Sequence, residues 1–279
     1  MSARALRRRW VDHAATAFAW FATALALFGL ASILWTLISN GIAGLSVQLF
    51  SSDTPAPGSV GGLRNAIIGS VLMTSIGLAL AIPIGVLTGT YLAEYGRRTR
   101  LGRATSFIND ILLSAPSIVV GLFVYGLVVV PSGHFSGWAG SLALALIALP
   151  IIVRSSFDAL TLLPISLREA ALALGAPPHL MLLKVCYRAA RMGLLTGVLL
   201  ALARIAGETA PLLFTALNSQ FLSADMNAPL ASLPAVIYRF AMSPFDDWNQ
   251  LAWSGALLIA MTVLAINLLL RAWARPSAH

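Results

Sequence analysis

The sequence predicts an all-α fold: a polytopic membrane protein with six transmembrane helices and a helical cytoplasmic loop between the fourth and fifth. Three observations predict it. Hydrophobic residues make up 58% of the 279 positions and charged residues only 10%, with a mean hydropathy of +0.86, outside the range of soluble domains. The apolar runs are spread along the whole length, and each is near the ~20 residues that cross a hydrocarbon core about 30 Å thick. The basic residues alternate between successive loops, a signature of topology rather than of nucleic-acid binding, even though the formal net charge is +8. Membrane lipid is the expected surroundings, and nucleic acid is not an expected partner. No polar block is long enough to fold separately, so residues 14–272 are read as one membrane domain flanked by tails at 1–13 and 273–279.

The first span, about 14–39, follows the basic stretch "MSARALRRRW". It is too long for a signal-peptide core and lacks a cleavage site, so it is expected to stay. The second, 66–93, ends at "EYGRRTR", and the third, 108–130, at "PSGHFSG". The fourth, 138–157, contains Pro150, which a membrane helix tolerates when neighbours satisfy the freed carbonyl. The fifth is placed at 192–217 and the sixth at 251–272. Fifteen Lys and Arg residues fall in the two tails and in the second and fourth loops with their helix edges, against Arg64 and Arg239 in the others; Arg204 belongs to neither set. That asymmetry puts both termini and the second and fourth loops in the cytoplasm.

The fourth loop is unusual. Its "DALTLLPISLREAALALGAPPHLMLLKVCYRAAR" is neither polar enough for a disordered linker nor apolar enough to cross the bilayer. Two short helices fit. Ser166 followed by Glu169 is a capping-box pattern opening a helix that Gly175 can end before Pro177 and Pro178, and a second helix, roughly 179–190, leads into the fifth span. An amphipathic hairpin lying on lipid fits the same periodicity. The single cysteine, Cys186, permits no intramolecular disulfide, and His13, His134, His179 and His279 have no ligand spacing, so no metal site is expected.

The stretch "EAALALG" resembles the EAA motif of bacterial ABC-importer permeases, matching at Glu169, Ala170, Ala171 and Gly175. Where that motif continues Ile-x-Leu-Pro, this chain has Val185, Cys186, Tyr187 and Arg188. Within the superfamily, "FINDILLSAPSIVVGLFVYG", "LPIIVRSSFDAL" and above all "ARIAGETAPLLFTA" are similar to the PstA-type permeases of phosphate-specific importers, over roughly 60–270. The resemblance implies import of inorganic phosphate by alternating access across the bacterial inner membrane. It implies as partners a second homologous permease (PstC-type), two copies of an ATP-binding subunit (PstB-type) and an external phosphate-binding protein (PstS-type). Glu169, Ala170, Ala171 and Gly175 would then form the coupling-helix loop against the ATPase. No Gly-x-x-x-x-Gly-Lys-Ser/Thr segment occurs, so this chain is expected to hold no cofactor and to perform no catalysis, ATP being used by the partner subunit.

Arg204 and Glu208 lie inside the fifth apolar run. Thirteen residues separate Arg191 from Arg204, about 20 Å of helix, which puts Arg204 near or beyond mid-membrane. Two readings stand. The pair can be structural, or Arg204 can grip a translocated oxyanion with two N–H groups while Glu208 holds and partly neutralises it. Thr196 and Thr209 are expected to bond their own backbone. A permease for sulfate or molybdate could use the same arginine; a secondary transporter would not need the "EAALALG" projection. The loops at 40–65 and 218–250 are the expected docking surface for the external protein, with Asp225, Asp246 and Asp247 as solvated charges.

Overall fold

The computed structural model describes residues 3–273, and within them the chain forms helices and no strand. Residues 274–279, nearly all of the predicted C-terminal tail, lie outside the described residues. Helix α1 (Ala3–Ala43) is followed by the short α2 (Val47–Ser51) and by α3 (Arg64–Glu94). Next come α4 (Arg100–Ser114), α5 (Ser117–Ser132), α6 (Gly137–Thr161), α7 (Ile165–Ala173) and α8 (Pro178–Ala206). The chain closes with α9 (Ala210–Thr215), α10 (Leu233–Ala241) and α11 (Asp246–Trp273).

Helix α3 carries a small residue or Met73 at every fourth position of one buried face: Gly69, Met73, Gly77, Ala81, Gly85, Gly89 and Ala93. From Met73 onward this face lies on α6, while Gly69 meets the Ala231 backbone. A Cβ at Gly85 would stand 2.7 Å from Ile152 Cγ2, and one at Gly89 would stand 2.6 Å from Ser156 Cβ. Lipid tails are as apolar as leucine, so what holds two spans together is close van der Waals packing, which small residues permit. Gly77 meets Ser141 and Leu144 while Gly89 meets Val153 and Ser156, so α3 and α6 run parallel. Gly193 meets Ala159 and Gly197 meets Ser155, so α8 runs antiparallel to α6.

Two parallel spans need a return crossing between them, and α4 with α5 provides it. The third span was expected as one helix over 108–130; it is instead two helices bent by 107°. Pro116 disfavours helical backbone at Ala115, whose ψ is 132°, and the chain restarts as α5. In the fourth span Pro150 is buried inside α6, and Asn109 Nδ2 of α4 donates to its carbonyl at 3.4 Å.

The fifth span also differs from its prediction at both ends. The short helix expected over 179–190 is continuous with the span, passing through a π-helical turn at Met181–Cys186, and the missing motif proline is what lets it continue. The span then ends at Ala206 instead of 217. Pro211 has no N–H for the Gly207 carbonyl, and the chain turns through Gly207, Glu208 and Thr209 before α9 begins.

Helix α1 packs along α11, near its own end, where Ser254 Oγ donates to Gly41 O at 3.1 Å. Trp10, Phe18, Trp20, Phe21 and Trp35 stay exposed along its length, as lipid-facing residues do. At the end of the bundle away from α7, Arg64 bonds Asp53 at 2.9 Å, and this hydrogen bond holds the Asp53 carboxyl below the usual carboxylate range. Asn65 is buried there, its Nδ2 donating to Thr54 Oγ1 and Ser219 O.

Candidate functional site

The break between α8 and α9 places two charges in different surroundings. Arg204 is in the last turn of α8, where a cation complements the carbonyl end of the helix dipole. Its side chain is 56% exposed, whereas that of Glu208 is 7% exposed. Arg204 Nη2 stands 3.1 Å from Glu208 Oε1, within ion-pair range, but that buried oxygen has no aligned hydrogen bond. The carboxylate therefore tethers the guanidinium by charge while the arginine side chain stays more than half exposed. Extending the α6–α8 register, in which 193 meets 159 and 197 meets 155, sets Arg204 opposite about Ala148. The centre of α6 is one residue away, at Leu149. Arg204 is therefore level with the middle of α6.

At the middle of a membrane span, an arginine facing hydrocarbon costs roughly 2.5–3.5 kcal/mol on the mildest insertion scale, which favours a polar surrounding. A protein partner or an aqueous path would supply one. Thr196 Oγ1 donates to Met192 O at 2.8 Å, its own backbone, as expected. Asp225, Asp246 and Asp247 are exposed, the last two in the first turn of α11.

The second site is α7. It starts after Pro164 with no side-chain cap, so Ser166 is inside the helix and the predicted capping box does not form. Glu169 and Ala170 are exposed, and among the described residues no ion pair or side-chain hydrogen bond engages Glu169. Ala171 turns inward, packing with Leu160, Met181 and Cys186. Gly175 has φ +81°, the left-handed conformation that glycine adopts without strain. Its N–H bonds Leu172 O at 2.9 Å and that of Ala176 bonds Ala171 O at 3.2 Å, a Schellman closure that projects "EAALALG" as one rigid helix-turn.

Sequence reasoning missed the residues that anchor this projection. Arg168, counted only as a topological charge, makes a two-pronged ion pair with Glu94 at the end of α3, with Nη2 2.9 Å from Oε1. The partners are 74 positions apart, so no local spacing marks them. The two sites are not brought together: from Pro178 to Arg204 is about 40 Å of helix.

Residues 81–276 match the family described as "Binding-protein-dependent transport system inner membrane component". The chain is 58% identical over 245 residues to the phosphate transport system permease protein PstA of Pasteurella multocida, covering 88% of each chain. To the Haemophilus influenzae protein of the same description it is 59% identical over 247 residues, again 88% of each. To the probable phosphate transport system permease protein PstA of Methanocaldococcus jannaschii it is 35% identical over 252 residues, 89% of each. Among solved structures, an inward-facing form of the MetNI methionine ABC transporter superposes with a TM-score of 0.62 at 22% identity, covering 75% of this chain and 95% of that one. That likeness speaks to the fold.

Proposed function

The chain belongs to the binding-protein-dependent transport system inner membrane component family, and from that premise we propose that it is the permease subunit of an ATP-driven importer carrying inorganic phosphate across the bacterial inner membrane by alternating access. The single observation that carries the substrate is the 58–59% identity, over 88% of each chain, to phosphate transport system permeases. As an ABC-importer permease it works with a partner permease and ATPase subunits. The finer assembly is a second homologous permease, two copies of an ATP-binding subunit and an external phosphate-binding protein. ATP is hydrolysed in the ATP-binding subunits, and this chain supplies no cofactor site.

The mechanism follows from the two sites. The basic end, with α7, faces the cytoplasm, where Glu169 and Ala170 offer an exposed carboxylate and a small surface to the ATPase; Ala171 and Gly175 fix the shape of that projection. Closure of the ATPase dimer pushes α7, and because α7 is joined to the spans, the push tilts them. At mid-membrane Arg204 faces the second permease across the pathway, and its planar guanidinium receives two phosphate oxygens. Glu208 keeps the arginine in place and lowers its net attraction, so that the anion leaves again. The pathway therefore has a weak, single-arginine hold on this side. The loops at 40–65 and 218–250 meet the loaded binding protein.

The test is uptake of labelled phosphate into vesicles containing the complete assembly, with sulfate and molybdate as competitors. Phosphate uptake that unlabelled phosphate suppresses and the other two anions leave unchanged is expected. Preferential uptake of sulfate or molybdate would overturn the substrate assignment.

A further inference from the structure

Glu169 and Arg168 are adjacent, yet they face opposite ways. Glu169 is exposed, whereas the side chains of Arg168 and Glu94 are 16% and 11% exposed. Arg168 Nε reaches both oxygens of Glu94, at 3.1 and 3.2 Å, and Nη2 reaches Oε1 at 2.9 Å. The same guanidinium donates through Nη1 to Leu163 O at 2.8 Å and through Nη2 to Leu160 O at 2.6 Å. Three elements meet at one side chain: the end of α3, the end of α6 and the start of α7. Only Leu162, Leu163 and Pro164 separate α6 from α7, and the guanidinium spans that connection. It adds a second, shorter bond to the Leu160 carbonyl in the last turn of α6, which otherwise accepts only from the backbone just beyond the helix, Leu163 N–H at 3.3 Å. Ala93, Leu160, Ala171, Met181, Cys186 and Ala190 form the apolar joint beside it.

We infer that Arg168 is a positioning residue for energy coupling: locked onto Glu94 and the Leu160 and Leu163 carbonyls, it makes α7 and the inner ends of α3 and α6 one rigid body, so that a push on α7 moves the spans rather than bending the loop. The inference rests on the reading of α7 as the element that faces the ATPase. A buried ion pair retained only for stability is replaceable by apolar residues at little loss. A clamp is not, because an apolar side chain cannot hold the two carbonyls. A lysine ammonium lacks the planar fork that serves the carboxylate and both carbonyls together.

The experiment uses the complete assembly in proteoliposomes and reads phosphate uptake and ATP hydrolysis together, for Arg168→Gln, Arg168→Lys, Glu94→Gln, the double variant Arg168→Leu with Glu94→Leu, and Glu169→Lys. Arg168→Gln and Glu94→Gln should co-purify with the ATPase but move about tenfold less phosphate per ATP, the size of a typical coupling loss. Arg168→Lys should fall between, and the double leucine variant should assemble and stay uncoupled. A native ratio in Arg168→Gln overturns the inference, as does recovery of the ratio in the double leucine variant or loss of ATPase association in Arg168→Gln. Normal transport by Glu169→Lys would instead remove the reading of α7 on which the inference rests; failure of Glu169→Lys beside a native Arg168→Gln removes the clamp alone.

Discussion

Arg204 and Glu208 divide one ion pair into an outward charge and a buried tether, 56% against 7% exposed. Under the proposed function a pathway arginine must be reachable, and it must be prevented from swinging away or binding too firmly, the two tasks proposed for the buried carboxylate. Arg204→Gln should therefore reduce phosphate uptake at least about 100-fold, the loss of a charge-assisted two-pronged grip worth a few kcal/mol. ATP hydrolysis by the assembled complex should persist, because α7 is untouched. Arg204→Lys should be impaired too, since an ammonium is a point charge. Measuring uptake and ATP hydrolysis on the same vesicles checks both. The pair itself was legible, because two charges stand out in a run as apolar as 199–217. The difference in their exposure was not, since it depends on neighbours from other spans. The helix break was readable in retrospect from Gly207 and Pro211 at i, i+4, a spacing at which proline removes the bond to the glycine carbonyl.

The elements owe their ends to single residues. Gly175 sits at φ +81° with open space around its Cα, so a side chain there meets a conformational cost and no clash. Gly175→Leu should cost about 1–2 kcal/mol in the turn and displace the helix-turn, abolishing transport, whereas Gly175→Asn should keep most of it because asparagine tolerates the left-handed region. Parallel uptake assays on the two variants check this; equal losses would indicate that bulk at the surface, and not the backbone, is what matters. Helix existence was legible from hydropathy, which is why six crossings and a helical fourth loop were expected. The bend at Pro116 was not, because a proline in a membrane run is as compatible with a tolerated kink, as at Pro150, as with a 107° break. The Arg168–Glu94 clamp was invisible for a different reason: it depends on α3 and α6 running parallel, which the glycine ladder of α3 establishes only once its partner is known.

For the molecule as a whole, the parallel α3 and α6 and the antiparallel α8 fix which loops share an end, and the charge count predicts which of the two ends faces inward. In a Cys186→Ala background, a cysteine at Ser59 or Ser223 should react with an impermeant thiol reagent added outside the cell, and one at Arg98 should not. Reversed labelling would turn the bundle over and put α7 out of reach of a cytoplasmic ATPase. The bundle exposes Arg204 at a level near the middle of α6, where phosphate is proposed to pass. The most direct measurement is phosphate uptake by the complete assembly carrying Arg204→Leu together with Glu208→Leu, a change that removes both charges without leaving either one unpaired. If Arg204 is the hold on the anion, the double variant assembles, hydrolyses ATP and takes up no phosphate above background. Uptake at the native rate from that apolar pair would contradict the account, because no group would then be left at that position to hold phosphate.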